Sequence, residues 1–123
     1  MGNQMTRKPL AELEEKQVGR KELCPIVEAI KEVGGEWKLI IIRYLAESPS
    51  GFNDLVRRID GLNPKTLSRT LKTLQERGII NRNVVSTQPF KVMYSLTPKG
   101  ESLDSVLKNF REWGEEWILN KSQ

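Results

Sequence analysis

The sequence contains no histidine and only one cysteine, Cys24. The first absence removes the commonest general base and the commonest neutral metal ligand. The second excludes an internal disulfide framework and leaves the single thiol without its usual imidazole partner for nucleophilic chemistry. A glycine-rich phosphate loop is also missing. No apolar run is long enough to cross a membrane, and the N-terminus lacks a signal-peptide pattern, so the expectation is a cytoplasmic protein without a membrane partner. No catalytic residue, cofactor or metal site is assigned, and the enzyme class has nothing to run on.

What the sequence does have is positive charge in one place. The net charge of +4 is modest for 123 residues, a length that suits one domain plus an arm. Residues 48–91 hold eight Lys/Arg against three acids, a local excess of +5, and the remainder sums to −1. Cations gathered in the middle of the chain are what a phosphate-binding surface requires, although a solvated basic face would give the same count.

At the centre of that stretch lies NPKTLSRTLKTLQERG, residues 63–78. Asn63 is a good helix cap, Pro64 suits the first helical position, and Gly78 suits the stop. Leu67, Leu71 and Leu74 form one apolar stripe, which turns Lys65, Arg69, Lys72 and Glu76 to the opposite side, with Thr66, Ser68 and Thr73 as flanking hydroxyls. Such a helix fits a DNA major groove; an ordinary amphipathic surface helix fits the pattern too, and its neighbours decide.

Residues 1–23 read as an arm with a short helix over 9–17, weakly ordered or docked on a partner. Ile26, Val27, Ile30 and Val33 then predict a first core helix that ends at Gly34-Gly35. Residues 36–47, apolar nearly all round, predict the central buried helix; the β-branched run also permits a strand, but the length favours helix. Residues 52–60 place Phe52, Leu55, Val56 and Ile59 at helical spacing, with Gly61 as terminator and Leu62 tucked into the core. Two helices joined by a short glycine turn make a helix-turn-helix, whose second helix is the reader. Two β-rich runs follow at 79–85 and 92–96, the second alternating Val92, Tyr94 and Leu96 on one side. The polar STQPFK loop joins them as a wing, with Lys91 at its tip and Arg82 beside it.

Thr97-Pro98 predicts one last helix running to about residue 120. Leu103, Val106, Leu107, Phe110, Trp113, Trp117 and Ile118 stripe it over more than four turns. That is more apolar surface than a small wing domain needs, which marks a partner interface; folding back onto its own domain is the alternative.

The fold expected is mainly α with a small β-hairpin (α+β), a winged helix-turn-helix with a long C-terminal dimerisation helix. Its parts are an arm (1–23), a DNA-binding domain (24–97) and the dimerisation helix (98–123). The DNA-binding candidates are Asn63, Lys65, Thr66, Ser68, Arg69, Lys72, Thr73, Arg82 and Lys91. Dimerisation falls to the seven residues of the C-terminal stripe.

The sequence resembles the HxlR family of prokaryotic winged-helix transcription regulators. The resemblance is carried by Cys24-Pro25, Gly34-Gly35-Glu36-Trp37, Phe52-Asn53-Asp54-Leu55, Pro64-Lys65-Thr66-Leu67-Ser68-Arg69, Leu71 with Leu74, Tyr94-Ser95-Leu96-Thr97, Gly100 and Trp113-Gly114. It implies a homodimer on double-stranded operator DNA, often a repressor, with an unidentified small-molecule or oxidant effector. Some members respond to electrophiles or oxidants through a cysteine near the N-terminus, and Cys24 holds that position. Lacking a second cysteine, this chain cannot use an intrachain disulfide switch. As a small buried hydrophobe, Cys24 would instead be inert packing. The rival to the regulator reading is a winged-helix module that contacts protein or RNA without operator specificity.

Overall fold

The structure, a computed structural model, describes residues 24–120; the helix expected over 9–17 lies outside them. The chain divides after Gly34 into two compact units. In the first, helix α1 (Pro25–Val33) starts at Cys24 with Pro25 in its first turn and ends on Gly34. The expected apolar pattern is there, but the helix has no buried residue: Ile26 and Ile30 are exposed, Val27 and Val33 half-buried. It is therefore not the core helix its spacing suggested. Periodicity predicts a helix with an apolar side but says nothing about what covers that side.

The second unit carries helices α2 (Glu36–Glu47), α3 (Phe52–Arg58) and α4 (Pro64–Glu76), then the antiparallel hairpin of β1 (Ile80–Thr87) and β2 (Phe90–Leu96). Short helix α5 (Pro98–Glu101), helix α6 (Asp104–Gly114) and a π-helical segment, Glu115–Leu119, complete it. The core draws on every element up to the hairpin: Ile41, Ile42 and Leu45 of α2, Leu55 of α3 with Ile59 and Leu62 after it, Leu67, Leu71 and Leu74 of α4, and Ile79 and Ile80 at the start of β1. Full burial of each such side chain contributes roughly 1.5–3 kcal/mol before entropy is set against it. Helix α2 is less enclosed than its composition suggested, since Trp37, Leu39, Ile40 and Tyr44 are only half-buried. Helix α2 packs on α4, β2 and α6, and its Tyr44 and Glu47 reach Arg58 of α3, so its apolar residues are shared among several neighbours and not enclosed by one.

Three further expectations change. The hairpin connection is much shorter than the six residues STQPFK, because Ser86 pairs with Lys91 and Thr87 with Phe90, leaving Gln88-Pro89 as the turn. Lys91 therefore sits within β2 and not at the tip. Val85 is the extra residue of a bulge between the Val84–Val92 and Ser86–Lys91 pairs. The alternation expected for Val92, Tyr94 and Leu96 is also absent, as all residues from 92 to 96 are half-buried. Helices α2, α3 and α5 all approach β2, so its successive residues are each partly covered and no alternation survives.

The last helix is interrupted. Leu103 donates its N–H to the carbonyl of Gly100, 3.1 Å away, and the Ser102 hydroxyl donates to the carbonyl of Lys99 at 2.6 Å. A serine hydroxyl that bonds locally competes with the helical ladder and ends α5 after one turn. The apolar stripe begins only at Leu103, beyond this break, and α5 contributes none of its members, so its spacing carries no sign of the interruption.

Candidate nucleic-acid interface

Helix α4 is held from three directions. At its start the Asn63 side chain accepts a hydrogen bond from the Thr66 N–H at 2.8 Å, and Pro64 occupies the first turn, as cap and first-position residues should. Along its inner side Leu67, Leu71 and Leu74 are buried. At its end Gly78, at φ +73°, takes the left-handed conformation that releases the chain toward β1. The stripe fixes the helix about its own axis, so Lys65, Ser68, Arg69 and Lys72 are presented to solvent together.

Among the described residues Lys65, Arg69 and Lys72 of α4, and Arg82 and Lys91 of the hairpin, make no ion pair, whereas those of neighbouring α3 do. Arg57 binds Asp54 at 2.8 Å; Arg58 reaches Glu47 at 3.3 Å and Asp54 at 3.6 Å. A cation with no carboxylate partner retains its full attraction for a phosphate, and a guanidinium so placed retains its planar donor fork for a base edge.

Two candidates are partly committed elsewhere. The Thr73 hydroxyl donates to the Arg69 carbonyl at 3.1 Å, and the Asn63 side-chain oxygen is taken by its cap, leaving only the amide NH2 outward. Thr66 is half-buried and flanks the exposed row. On the hairpin, Arg82 is exposed and pairs across the ladder with Tyr94. Lys91 lines a cleft with Gly51, Phe52, Asn53, Arg57 and Phe90, so its position beside the start of α3 replaces the tip position expected from the sequence. Exposed Asn53, in the first turn of α3 and in the same cleft, is a polar candidate that the sequence reading passed over. Its place one residue after the start of the first helix-turn-helix helix was the available signal.

The hairpin is fastened to the helices through Ser50, in the turn between α2 and α3. Ser50 is buried and forms an isolated bridge with Tyr94. Its hydroxyl accepts from the Arg58 guanidinium at 3.3 Å and donates to the Ser48 carbonyl at 3.2 Å. Arg58 also lies over the Tyr44 ring, 5.2 Å from its centroid.

The C-terminal stripe divides in two. Leu103 and Leu107 are half-buried, and Leu107 and Phe110 form one wall of a groove whose other wall is Leu39, Ile40 and Ala46 of α2. Val106, Phe110, Trp113, Trp117 and Ile118 each expose more than half their surface, and Leu119, outside the predicted set, exposes 70%. Folding back thus accounts for the start of the stripe and leaves an apolar face of six large side chains open on a single chain. Cys24 is half-buried at the start of α1, and its thiol does not cap that helix.

The family profile described as HxlR-like helix-turn-helix matches residues 32–122, a stretch that begins after Cys24-Pro25. An uncharacterised HTH-type transcriptional regulator of Methanothermobacter thermautotrophicus is 38% identical over 93 residues, covering 76% of this chain and 71% of that protein. The redox regulator HypR in its oxidised form superposes with a TM-score of 0.71 at 32% identity, over 76% of this chain and 96% of that one. The reduced form of the transcriptional regulator YodB of Bacillus subtilis gives a TM-score of 0.69 at 32% identity, over 78% and 95%. With a winged helix-turn-helix, a row of exposed cations on its second helix, and these relatives, the chain belongs to the HxlR-like helix-turn-helix family of transcriptional regulators.

Proposed function

We propose that this regulator binds a specific operator as a homodimer, with α4 in the major groove and the hairpin on the adjacent backbone. The observation that carries the reading is the contrast, among the described residues, between cations without an ion pair on α4 and the hairpin and paired cations on α3. Arg69 is assigned to a guanine edge and Lys65, Lys72, Arg82 and Lys91 to phosphates, with Asn63, Thr66, Ser68 and Thr73 lining the same surface. Residues 24–97 serve as the reading domain and 98–123 as the dimerisation segment, through Val106, Phe110, Trp113, Trp117 and Ile118, with the half-buried Leu103 and Leu107 supporting that face from behind. Large aromatics dominate desolvated interfaces, and this face offers three. Two-fold pairing presents two reader helices to half-sites about one helical turn apart, roughly 34–36 Å.

Repression is the expected sign, because occupying an operator is enough to block a promoter, whereas activation needs a further surface for the polymerase. The cytoplasm is the expected location, where such DNA is; among the described residues no helix is long and apolar enough to cross a membrane. The name of one similar protein, the redox regulator HypR, supports an oxidant-responsive reading with Cys24 as the responding thiol.

Selection from a random duplex library, followed by titration of the selected site against mismatched duplexes at two salt concentrations, tests the central reading. A single enriched sequence with two related half-sites and a steep salt slope is expected. Binding indifferent to duplex sequence would replace the regulator by an interaction module for protein or RNA.

A further inference from the structure

The end of the reader helix meets the start of the C-terminal segment through a cluster of hydrogen bonds. Thr97 donates its hydroxyl to the Gly78 carbonyl at 2.6 Å, with the Ile79 carbonyl at 3.1 Å, and its N–H donates to that same Ile79 carbonyl at 3.0 Å. Lys99 places its ammonium 2.8 Å from the Arg77 carbonyl. Three successive carbonyls, those of Arg77, Gly78 and Ile79, are thus taken by the first turn of α5. Thr97 at the same time accepts from the Gly100 N–H at 3.1 Å, so one hydroxyl both caps α5 and ties it to the Gly78–Ile79 connection that leaves α4. Gly100 is buried so tightly against the Ile79 carbonyl that an added Cβ would collide with it. At the start of α4 the cap is made within the helix, so the C-terminal end of α4 is where the segment leading to the exposed stripe grips it.

We propose that Thr97 and Lys99 are positioning residues for DNA recognition. They hold the reader helix at a set angle to the C-terminal segment, and so set the half-site separation that a dimer accepts. The inference rests on the dimeric operator reading above. A loop that merely connected two elements would not satisfy three successive carbonyls of the turn leaving the reader helix with the cap and first turn that open the dimerisation segment. A lysine acting only as a phosphate contact would have no need of the Arg77 carbonyl.

The test uses the full chain and the duplex selected above, together with versions carrying one or two base pairs inserted or removed between the half-sites. Lys99→Met keeps the aliphatic stem and removes the donor; Thr97→Val removes the hydroxyl; Thr97→Ser retains it. Wild type and Thr97→Ser should favour the selected spacing strongly. In Lys99→Met and Thr97→Val the ratio of affinities at selected and altered spacing should fall roughly fivefold, the size of one net hydrogen bond. Affinity for an isolated half-site and the salt slope should hold.

A uniform loss at every spacing, with the salt slope lower by about one unit, would make Lys99 a phosphate contact and overturn the inference. A spacing profile identical to wild type in both variants would overturn it too. A selected site with a single half-site would instead overturn the dimeric reading beneath it. If thermal melting shows Thr97→Val to be unfolded, exposed Lys99 alone decides the matter.

Discussion

Ser50 and Tyr94 exchange two backbone hydrogen bonds, N to O at 3.1 Å in one direction and 2.8 Å in the other, and so join the root of the wing to the turn between α2 and α3. One bridge adds a minimal third strand to the hairpin. A two-stranded hairpin is marginal in water by itself, and this attachment allows it to keep a fixed position beside α4.

Arg58 stabilises that attachment from the side. Its guanidinium touches Ser50 and Glu47 and lies over Tyr44, whose hydroxyl donates to the Arg58 carbonyl at 3.4 Å. The ion pairs are surface pairs worth little, so the cost of Arg58→Ala comes from the Ser50 bond and the ring contact, about 1–2 kcal/mol together. Neighbouring Arg57 is 70% exposed with one partner, and Arg57→Ala should cost under about 0.5 kcal/mol. Urea unfolding of the two variants checks the contrast; equal midpoints would show that the Arg58 network adds nothing.

Features of this fold set by neighbouring residues were legible in the sequence. The cap, the first-turn proline, the leucine stripe and the stop of α4 lie within sixteen residues and were read correctly, as was the change to β structure after Gly78. Features that need a distant partner were not. A single bridge at Ser50 has no periodicity, and the strand pairs Ser86–Lys91 and Thr87–Phe90 are made from residues whose own preferences suit a loop. In the candidate site, the identity and side of the cations followed from spacing, but their freedom from carboxylates did not. Arg57 and Arg69 look equally available as text, and only the fold shows Asp54 beside the first.

Cys24 is the only thiol, so diamide can oxidise it only to a bridge between two chains or to a mixed disulfide with an added thiol. Under the oxidant-responsive reading, diamide weakens operator binding by wild type, reductant restores it, and Cys24→Ser is unaffected. Superimposable titrations for the two proteins would make the half-buried thiol a packing residue and leave the effector to be sought among small molecules.

The open apolar face leads to a prediction about assembly. Trp113 and Trp117 are 56% and 61% exposed in the single chain, so acidic residues there should leave the fold intact. Trp113→Asp with Trp117→Asp should sediment as a folded monomer, since two charges would be buried unpaired in the interface. Affinity for the two-site duplex should fall at least about a hundredfold as the second half-site contact becomes bimolecular. A double variant that remains a folded dimer would move the interface to another surface.

The sharpest prediction concerns what α4 reads. Arg69 stands on the exposed side of the helix, between one and two turns past the Asn63 cap, with no carboxylate partner among the described residues. Its guanidinium can donate two parallel bonds to the two acceptors on the major-groove edge of guanine, a contact worth about 1–3 kcal/mol in discrimination. Lys72 and Lys91 are point charges on flexible stems, suited to phosphate and indifferent to sequence. Arg69→Ala should therefore reduce the preference for the selected duplex over its mismatched variants at one base pair of each half-site by roughly tenfold. Lys72→Ala and Lys91→Ala should weaken all duplexes alike and reduce the salt slope by about one unit each. Competition titrations over the mismatch panel separate the outcomes, because a lost base contact changes ratios and a lost phosphate contact changes only absolute affinity. Unchanged ratios with Arg69→Ala would reassign Arg69 to the backbone, the commoner kind of contact, and leave sequence reading to Ser68 and Thr66 or to the deformability of the duplex itself.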